Sequence, residues 1–328
     1  MAINLLNIQP HKVSRDLSGY ITFIYGQPKC GKTTFATQMP SHLLLAFEKG
    51  YNALPGVIAQ DINSWGEMKS VLRELKKPEV QQTFKSVIID TVDIAAELCQ
   101  KYICQQLNIE NVGDGGFTNN GWSKYKKEFE DTFRTLTMLG YAVVFISHVK
   151  RTEDNKTGEV TIKPSTQSSA LAIIENMADL YGYAHPVKQN DGSSKVVLTL
   201  RGPDGVSCGG RFKYIDNEVD FNYPAVAKAL TDAIDREAKA HDNKFVTDAR
   251  EVATVQKEYD YDAMIADFNN ITNDLMAKDK AYYGPRIIQI IERYLGKGKK
   301  VSDTTRDQAE LVYLVNSDIR AELIETKA

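Results

Sequence analysis

The chain has 328 residues, 42% hydrophobic and 25% charged, with a formal net charge of −3. That composition suits a large folded domain, or a core with an accessory part, and excludes a globally basic nucleic-acid binder while leaving room for a basic patch on one face. Cys30, Cys99, Cys104 and Cys208 form no CxxC pair and are too few for a disulfide scaffold, so free thiols in a reducing cytoplasm are expected.

In chain order, residues 20–25 predict a strand and a helix starts near Lys32. Residues 43–47 predict a second strand, 65–75 a helix, and 86–90 a third strand ending in an acid. Helices are expected over 94–107 and 122–139, then a buried strand over 141–146. Near-continuous apolar runs joined by helices predict an α/β fold with a mainly parallel sheet covered on both faces. Residues 150–169 are polar and read as a long flexible loop. A short helix over 170–177 precedes strands over 181–187 and 195–201, with 211–215 as an antiparallel edge and 202–210 as a turn region. Helices follow over 226–240, 259–276, 282–295 and 308–324. The domain reading is a lead-in over 1–18, an α/β core over 19–222, a helical linker over 223–245 and a helical accessory domain over 246–328. No run reaches the apolar length of a membrane helix, and the start lacks the pattern of a secretion signal, which predicts a cytoplasmic protein with no membrane partner.

The segment Gly26-Gln27-Pro28-Lys29-Cys30-Gly31-Lys32-Thr33-Thr34 follows a predicted strand and precedes a predicted helix. It is a G-x-x-x-x-G-K-[ST] phosphate loop in its proper context. Its amides are placed to cradle a β-phosphate, Lys32 to reach the β- and γ-phosphates, and Thr33 to put its hydroxyl on Mg²⁺. ATP and Mg²⁺ are therefore the expected cofactors. Cys30 reads as a tolerated small side chain. Asp90, at the end of its strand, is a second metal anchor, acting through a coordinated water, or else a cap on the following helix. Asp93 has two readings: it orients water or the metal shell, or it is a local cap. Glu48 follows the 43–47 strand at the edge where α/β sheets bind ligands, as a water-activating acid or an exposed turn acid. Ser147 and His148 follow the 141–146 strand as a sensor between nucleotide and the next loop, or as ordinary strand-end residues.

The loop at Gly26, then Phe47-Glu48, Ile88-Ile89-Asp90-Thr91 and Phe145-Ile146-Ser147-His148, resembles in its order the RecA-like P-loop ATPase core. The resemblance is to compact phage ATP-binding proteins of DNA recombination and single-strand annealing in particular, and it covers about residues 15–220. It implies a RecA-like three-layer core followed by a helical C-terminal region. It assigns water activation to Glu48 and γ-phosphate sensing to His148, where that family commonly carries glutamine. It implies a homo-oligomer and a DNA-binding loop carrying Lys150, Arg151, Lys156 and Lys163, or else a solvated ATPase loop, since Glu153, Asp154 and Glu159 intervene and no aromatic residue lies between the basic ones. Arg201 is the candidate for stabilising transferred charge, in its own or an adjacent subunit, and a surface salt bridge is its other reading. Tyr282, Tyr283, Arg286 and the Lys297/Lys299/Lys300 cluster are candidates for a partner face or for DNA.

The resulting expectation is an Mg²⁺-dependent ATPase that binds single-stranded DNA and assists phage recombination, annealing or repair. A single-stranded-DNA-binding protein or another recombination protein is its further partner, and the host cytoplasm its place. The alternatives are a replicative helicase or helicase loader, and a nucleotide-gated DNA-binding scaffold with little turnover.

Overall fold

The computed structural model describes residues 10–114, 120–242, 244–250 and 259–324. The chain divides into two compact units, Pro10–Val255 and a second whose described part is residues 259–324. The lead-in over 1–18 and the accessory region over 246–328 thus lie partly outside the described residues.

In the first unit, β1 (Val13–Ser14) precedes β2 (Thr22–Gly26), the phosphate loop and a short α1 (Lys32–Ala36). Then come β3 (His42–Ala46), β4 (Ala59–Asp61), α2 (Trp65–Leu75), α3 (Pro78–Thr83), β5 (Ser86–Asp90) and α4 (Val92–Leu107). α5 (Gly121–Met138) leads into β6 (Ala142–Glu153), β7 (Val160–Pro164) and α6 (Ser168–Met177). The unit continues with β8 (Leu180–Lys188), β9 (Ser194–Thr199), β10 (Gly209–Gly210), β11 (Glu218–Asp220), α7 (Tyr223–Lys239) and β12 (Val246–Thr247).

The main sheet has the order β11-β9-β8-β2-β6-β5-β3-β4. The strands from β8 to β4 run parallel, and β9 and β11 return antiparallel at one edge. Strand alternation divides the apolar residues between two faces. Phe23, Tyr25, Val87, Ile89, Val143 and Phe145 pack under α2, α4, α5 and α6, while Ile24, Leu44, Ile88, Val144 and Ile146 pack under α1 and α7. Burial on both faces is why the strands read as unbroken apolar runs. The expected three-layer α/β core with a mainly parallel sheet is the observed one. No helix among the described residues is long and apolar enough to cross a membrane.

Three expectations are corrected. Residues 150–169 are not a flexible loop, because β6 runs on to Glu153 and pairs antiparallel with β7 as a hairpin. The alternation in Val160-Thr161-Ile162-Lys163 and the turn centred on Asp154, whose carboxylate accepts from Lys156 N at 2.7 Å and Thr157 N at 3.1 Å, specify it. The edge strand is Glu218–Asp220 and not 211–215, where Ile215 N turns back onto Phe212 O. The 223–245 segment is not a linker: Val226, Leu230, Ala233 and Ile234 of α7 are core residues of the sheet unit.

β1 pairs in parallel with β12. Arg15 bridges Asp235 at 2.7 Å and Asp248 at 2.9 Å. Arg250 donates to the carbonyls of Ser18 (2.8 Å), Lys85 (2.9 Å) and Gly140 (2.6 Å), joining three separate turns.

In the second unit, α8 (Tyr261–Leu295) is broken at Asp279 (φ −159°, ψ 94°), whose carboxylate caps the amide of Tyr282 at 2.9 Å. α8 and α9 (Ala309–Leu323) share a core of Ile271, Leu275, Ile287, Val312, Val315 and Ile319. Tyr283 is buried there, whereas Arg286 stacks over Tyr282, 3.8 Å from its ring centre.

Candidate active site

The phosphate loop leaves β2 where the backbone is tightest. A Cβ on Gly26 would sit 2.3 Å from Ala184 O, so only glycine fits beside β8. Gly31 adopts φ 92°, which also favours glycine. Gln27, Pro28, Lys29 and Thr34 are exposed, and Cys30 is a half-buried free thiol whose pKa burial pushes up, leaving it protonated and inert. Lys32 is buried and its ammonium donates to Gly26 O at 2.9 Å and Gln27 O at 2.8 Å, which centres the charge inside the loop.

The acids arrive from neighbouring strands. The register sets Gly26 level with His148 and Asp90 level with Ala46 and Ile146, so the ends of β2, β3 and β5 and the middle of β6 meet at one edge. Thr33 Oγ1 donates to Asp90 Oδ2 at 2.6 Å. The amides of Phe47 and Glu48 both donate to Asp90 O, at 2.7 and 3.2 Å, which fixes Glu48 beside it. A Cβ on Gly50 would lie 3.6 Å from Thr33 Oγ1, 3.7 Å from Asp90 Oδ2 and 3.9 Å from Glu48 Oε1, so the three oxygens border one small space. Thr33 and Asp90 are hard oxygen donors, and such a sparse pair suits Mg²⁺, which keeps waters and substrate phosphates as its other ligands. Among the described residues no group of three or more His, Cys, Asp or Glu is placed to hold a metal.

His148 Nε2 lies 3.3 Å from Glu48 Oε2, and because a carboxylate only accepts, Nε2 carries the proton. This hydrogen bond is the main cause that raises the His148 pKa and lowers that of Glu48. Burial, with repulsion from Glu48, pushes Asp90 up to about 6 against the opposing hydrogen bond from Thr33 and the charges of Lys32 and His148. Glu48 therefore stays ionised at neutral pH and Asp90 is poised closer to it.

Ser147 is fully buried, and its hydroxyl bonds Asp93 Oδ1 at 3.1 Å and Thr166 Oγ1 at 2.9 Å. It is a tie between segments and not the nucleotide contact its position in sequence implies, because alternation turns 147 and 148 to opposite faces. Asp93 is likewise neither a metal-shell acid nor a cap on its own helix. Its carboxylate accepts from Ser147, Ser165 and Thr166 hydroxyls and from the His148 amide.

Arg201 does not reach this edge. β9 runs antiparallel to β8, with Ser194 level with Lys188 and Thr199 level with Tyr183, so the chain travels away from the phosphate loop as it nears Arg201. Its guanidinium donates to Phe212 O and Lys213 O, both at 2.8 Å, and holds that turn. Of the four basic residues of the hairpin, the pairing brings together Lys150 and Lys163, while alternation turns Arg151 to the other face. Lys150 is directly opposite Lys163, Arg151 opposite Ile162, and Lys156 lies in the turn. The hairpin is held by Ile162, which accepts from Tyr25 OH at 3.2 Å and Ser207 N at 2.9 Å and donates to Gly205 O at 2.7 Å. Sequence alone does not show that aromatic rings lie near it. Tyr25, Tyr183 and His185 stack in succession, with centroids 5.0 and 4.7 Å apart, and Arg151 is near enough to Tyr183 to offset part of the upward push that burial gives its phenol.

A model of the AAA domain family matches residues 18–212, more than half of the chain. The chain belongs to this family. The AAA domain match takes in the phosphate loop, Glu48, Asp90, His148 and the whole hairpin, and ends before α7. The SPbeta prophage-derived uncharacterized protein YorG of Bacillus subtilis (strain 168) is 29% identical over 329 residues, covering 99% of this chain and 100% of that protein. Among solved structures, flagellar accessory protein FlaH from Methanocaldococcus jannaschii is similar at 11% identity and a TM-score of 0.32, over 62% of this chain and 84% of that one.

Proposed function

We propose that this AAA domain protein is an Mg²⁺-dependent ATPase that binds single-stranded DNA and assists recombination, annealing or repair of phage DNA. The observation that carries the reading is the single strand β6, which presents His148 beside Glu48 at the phosphate edge and then continues into the basic hairpin. Lys32 and the loop amides hold the phosphates, Thr33 and Asp90 hold Mg²⁺, and Glu48 orients the attacking water. Mg²⁺ supplies charge neutralisation on the phosphates when bound. Lys150, Arg151, Lys156 and Lys163 meet the DNA backbone, with Tyr183 and His185 as nearby rings for stacking. The prophage source of the Bacillus relative supports the phage setting.

Turnover and DNA binding measured together, with single- and double-stranded DNA titrated at low salt, test the proposal. Single strands stimulate hydrolysis, and binding weakens steeply with salt. Glu48→Gln retains ATP binding and slows hydrolysis by about 10²-fold or more. Absence of DNA binding in every nucleotide state removes the DNA role, and unchanged turnover in Glu48→Gln removes Glu48 as the principal base.

A further inference from the structure

We infer that Asp93 is a positioning residue that couples the nucleotide site to the β6–β7 hairpin. Its carboxylate collects four donors. Oδ1 accepts from Ser147 Oγ at 3.1 Å, Ser165 Oγ at 2.5 Å and Thr166 Oγ1 at 3.2 Å, and Oδ2 accepts from His148 N at 3.3 Å. An acid in the first turn of a helix ordinarily caps that helix's own amides. Here the donors all come from β6 and from the segment after β7, 54 to 73 residues further along the chain. The neighbouring cap position, Thr91, makes no side-chain cap bond either, so this helix start is turned toward the hairpin and not toward itself.

The connection closes a ring. Ser165 N donates to His148 O at 2.8 Å, so His148 is held through its amide by Asp93 and through its carbonyl by the residue Asp93 also holds. The His148 imidazole meets Glu48 at the phosphate edge. Any displacement of that ring on nucleotide binding therefore pulls on both feet of the hairpin, and Asp93 is the fixed point they share. The donors Ser147 and Thr166 are buried, so their hydroxyls have little water to turn to and share their protons among this carboxylate, each other and, for Ser147, His148 O at 3.1 Å.

Asp93→Asn separates the two arms. An amide oriented with its oxygen toward the three hydroxyls turns its NH₂ toward the His148 amide, placing donor against donor. The hairpin foot keeps its hydroxyl bonds while the tie to His148 is lost.

The inference rests on nucleotide binding in the proposed function and not on DNA binding. Hydrogen exchange of amides 149–166 is measured in the full chain with and without a non-hydrolysable ATP analogue and Mg²⁺, alongside analogue affinity. In wild type the analogue changes hairpin exchange. In Asp93→Asn affinity is retained and that nucleotide-dependent change is lost. Ser165→Ala removes an exposed hydroxyl outside the core and loses part of the response, so it decides the question if Asp93→Asn does not fold. A full response in the folded Asp93→Asn or in Ser165→Ala overturns the inference, as does a wild-type hairpin that binds the analogue and shows no response. Failure of wild type to bind the analogue overturns the proposed function itself, and this inference with it.

Discussion

Asp90 shows what the site costs the fold. It is 2% exposed, and its pKa rises from 3.8 to about 6, first through burial and then through Glu48, against the hydrogen bond from Thr33. A carboxyl that holds its proton more tightly when folded favours the fold below its unfolded pKa, and that contribution is lost as the pH rises through the folded value. Above about pH 6 the nucleotide-free protein carries a buried charge at a cost of about 3 kcal/mol. Asp90→Asn therefore raises the melting temperature of the nucleotide-free protein at about pH 8 and changes it little at about pH 4. Equal melting of the two proteins at the higher pH contradicts this. Glu48 and His148 behave in the opposite sense as a pair. Their contribution is full between the ordinary values 4.5 and 6.5. It is lost as the pH rises through the raised His148 pKa, and as it falls through the lowered Glu48 pKa. These three residues are legible in sequence because each closes an apolar run, and strand ends of a parallel sheet face one edge. Asp93 is not legible, because its partners are distant in the chain. Ser147 misleads, because adjacency to His148 hides the alternation that buries it.

At the scale of the element, the hairpin is where composition and periodicity compete. Its polar residues read as loop, yet every second position from Lys150 to Glu153 and from Val160 to Pro164 falls on one face. Strand pairing then sets Lys150 against Lys163, and like charges directly opposite destabilise a ladder. Neither takes part in an ion pair among the described residues, so in the proposed function this pair is the first place for a phosphate. Lys150→Ala with Lys163→Ala lowers the slope of log affinity against log salt for single-stranded DNA by about 1.4, near 0.7 per phosphate contact, and leaves basal ATP turnover unchanged. An unchanged salt slope shows that the two lysines meet no phosphate. Arg201 lies away from its own subunit's nucleotide edge for an element-level reason too: an antiparallel return reverses direction, and a lone sequence does not say which edge a strand end faces.

On the scale of the whole molecule, the family match ends at residue 212, but the fold of the first unit does not. α7 supplies core residues, and residues 246–250 close the seam with β1 and through Arg250. A chain ended at residue 240 loses the strand pair and three charge-assisted hydrogen bonds, a loss of about 5 kcal/mol, which lowers the melting temperature by about 10–20 °C relative to a chain ended at residue 250. Coincident melting curves refute the seam's contribution. The main strands, their parallel character and most helix positions are open to reading from apolar runs, whereas this closure depends on strands of two residues and on carbonyls from three turns, which carry no periodic signal.

The seam has one more consequence. Val13–Ser14 and Val246–Thr247 lie side by side, about 5 Å apart, so the first and last strands of the first unit meet at one place. Such a unit tolerates circular permutation: a linker of about ten residues joins the old ends, and new ones open at the exposed Asn190-Asp191-Gly192 turn between β8 and β9. What holds the phosphate loop beside Glu48 and Asp90 is the arrangement of strands in space, and the order in which the ribosome delivers them is dispensable.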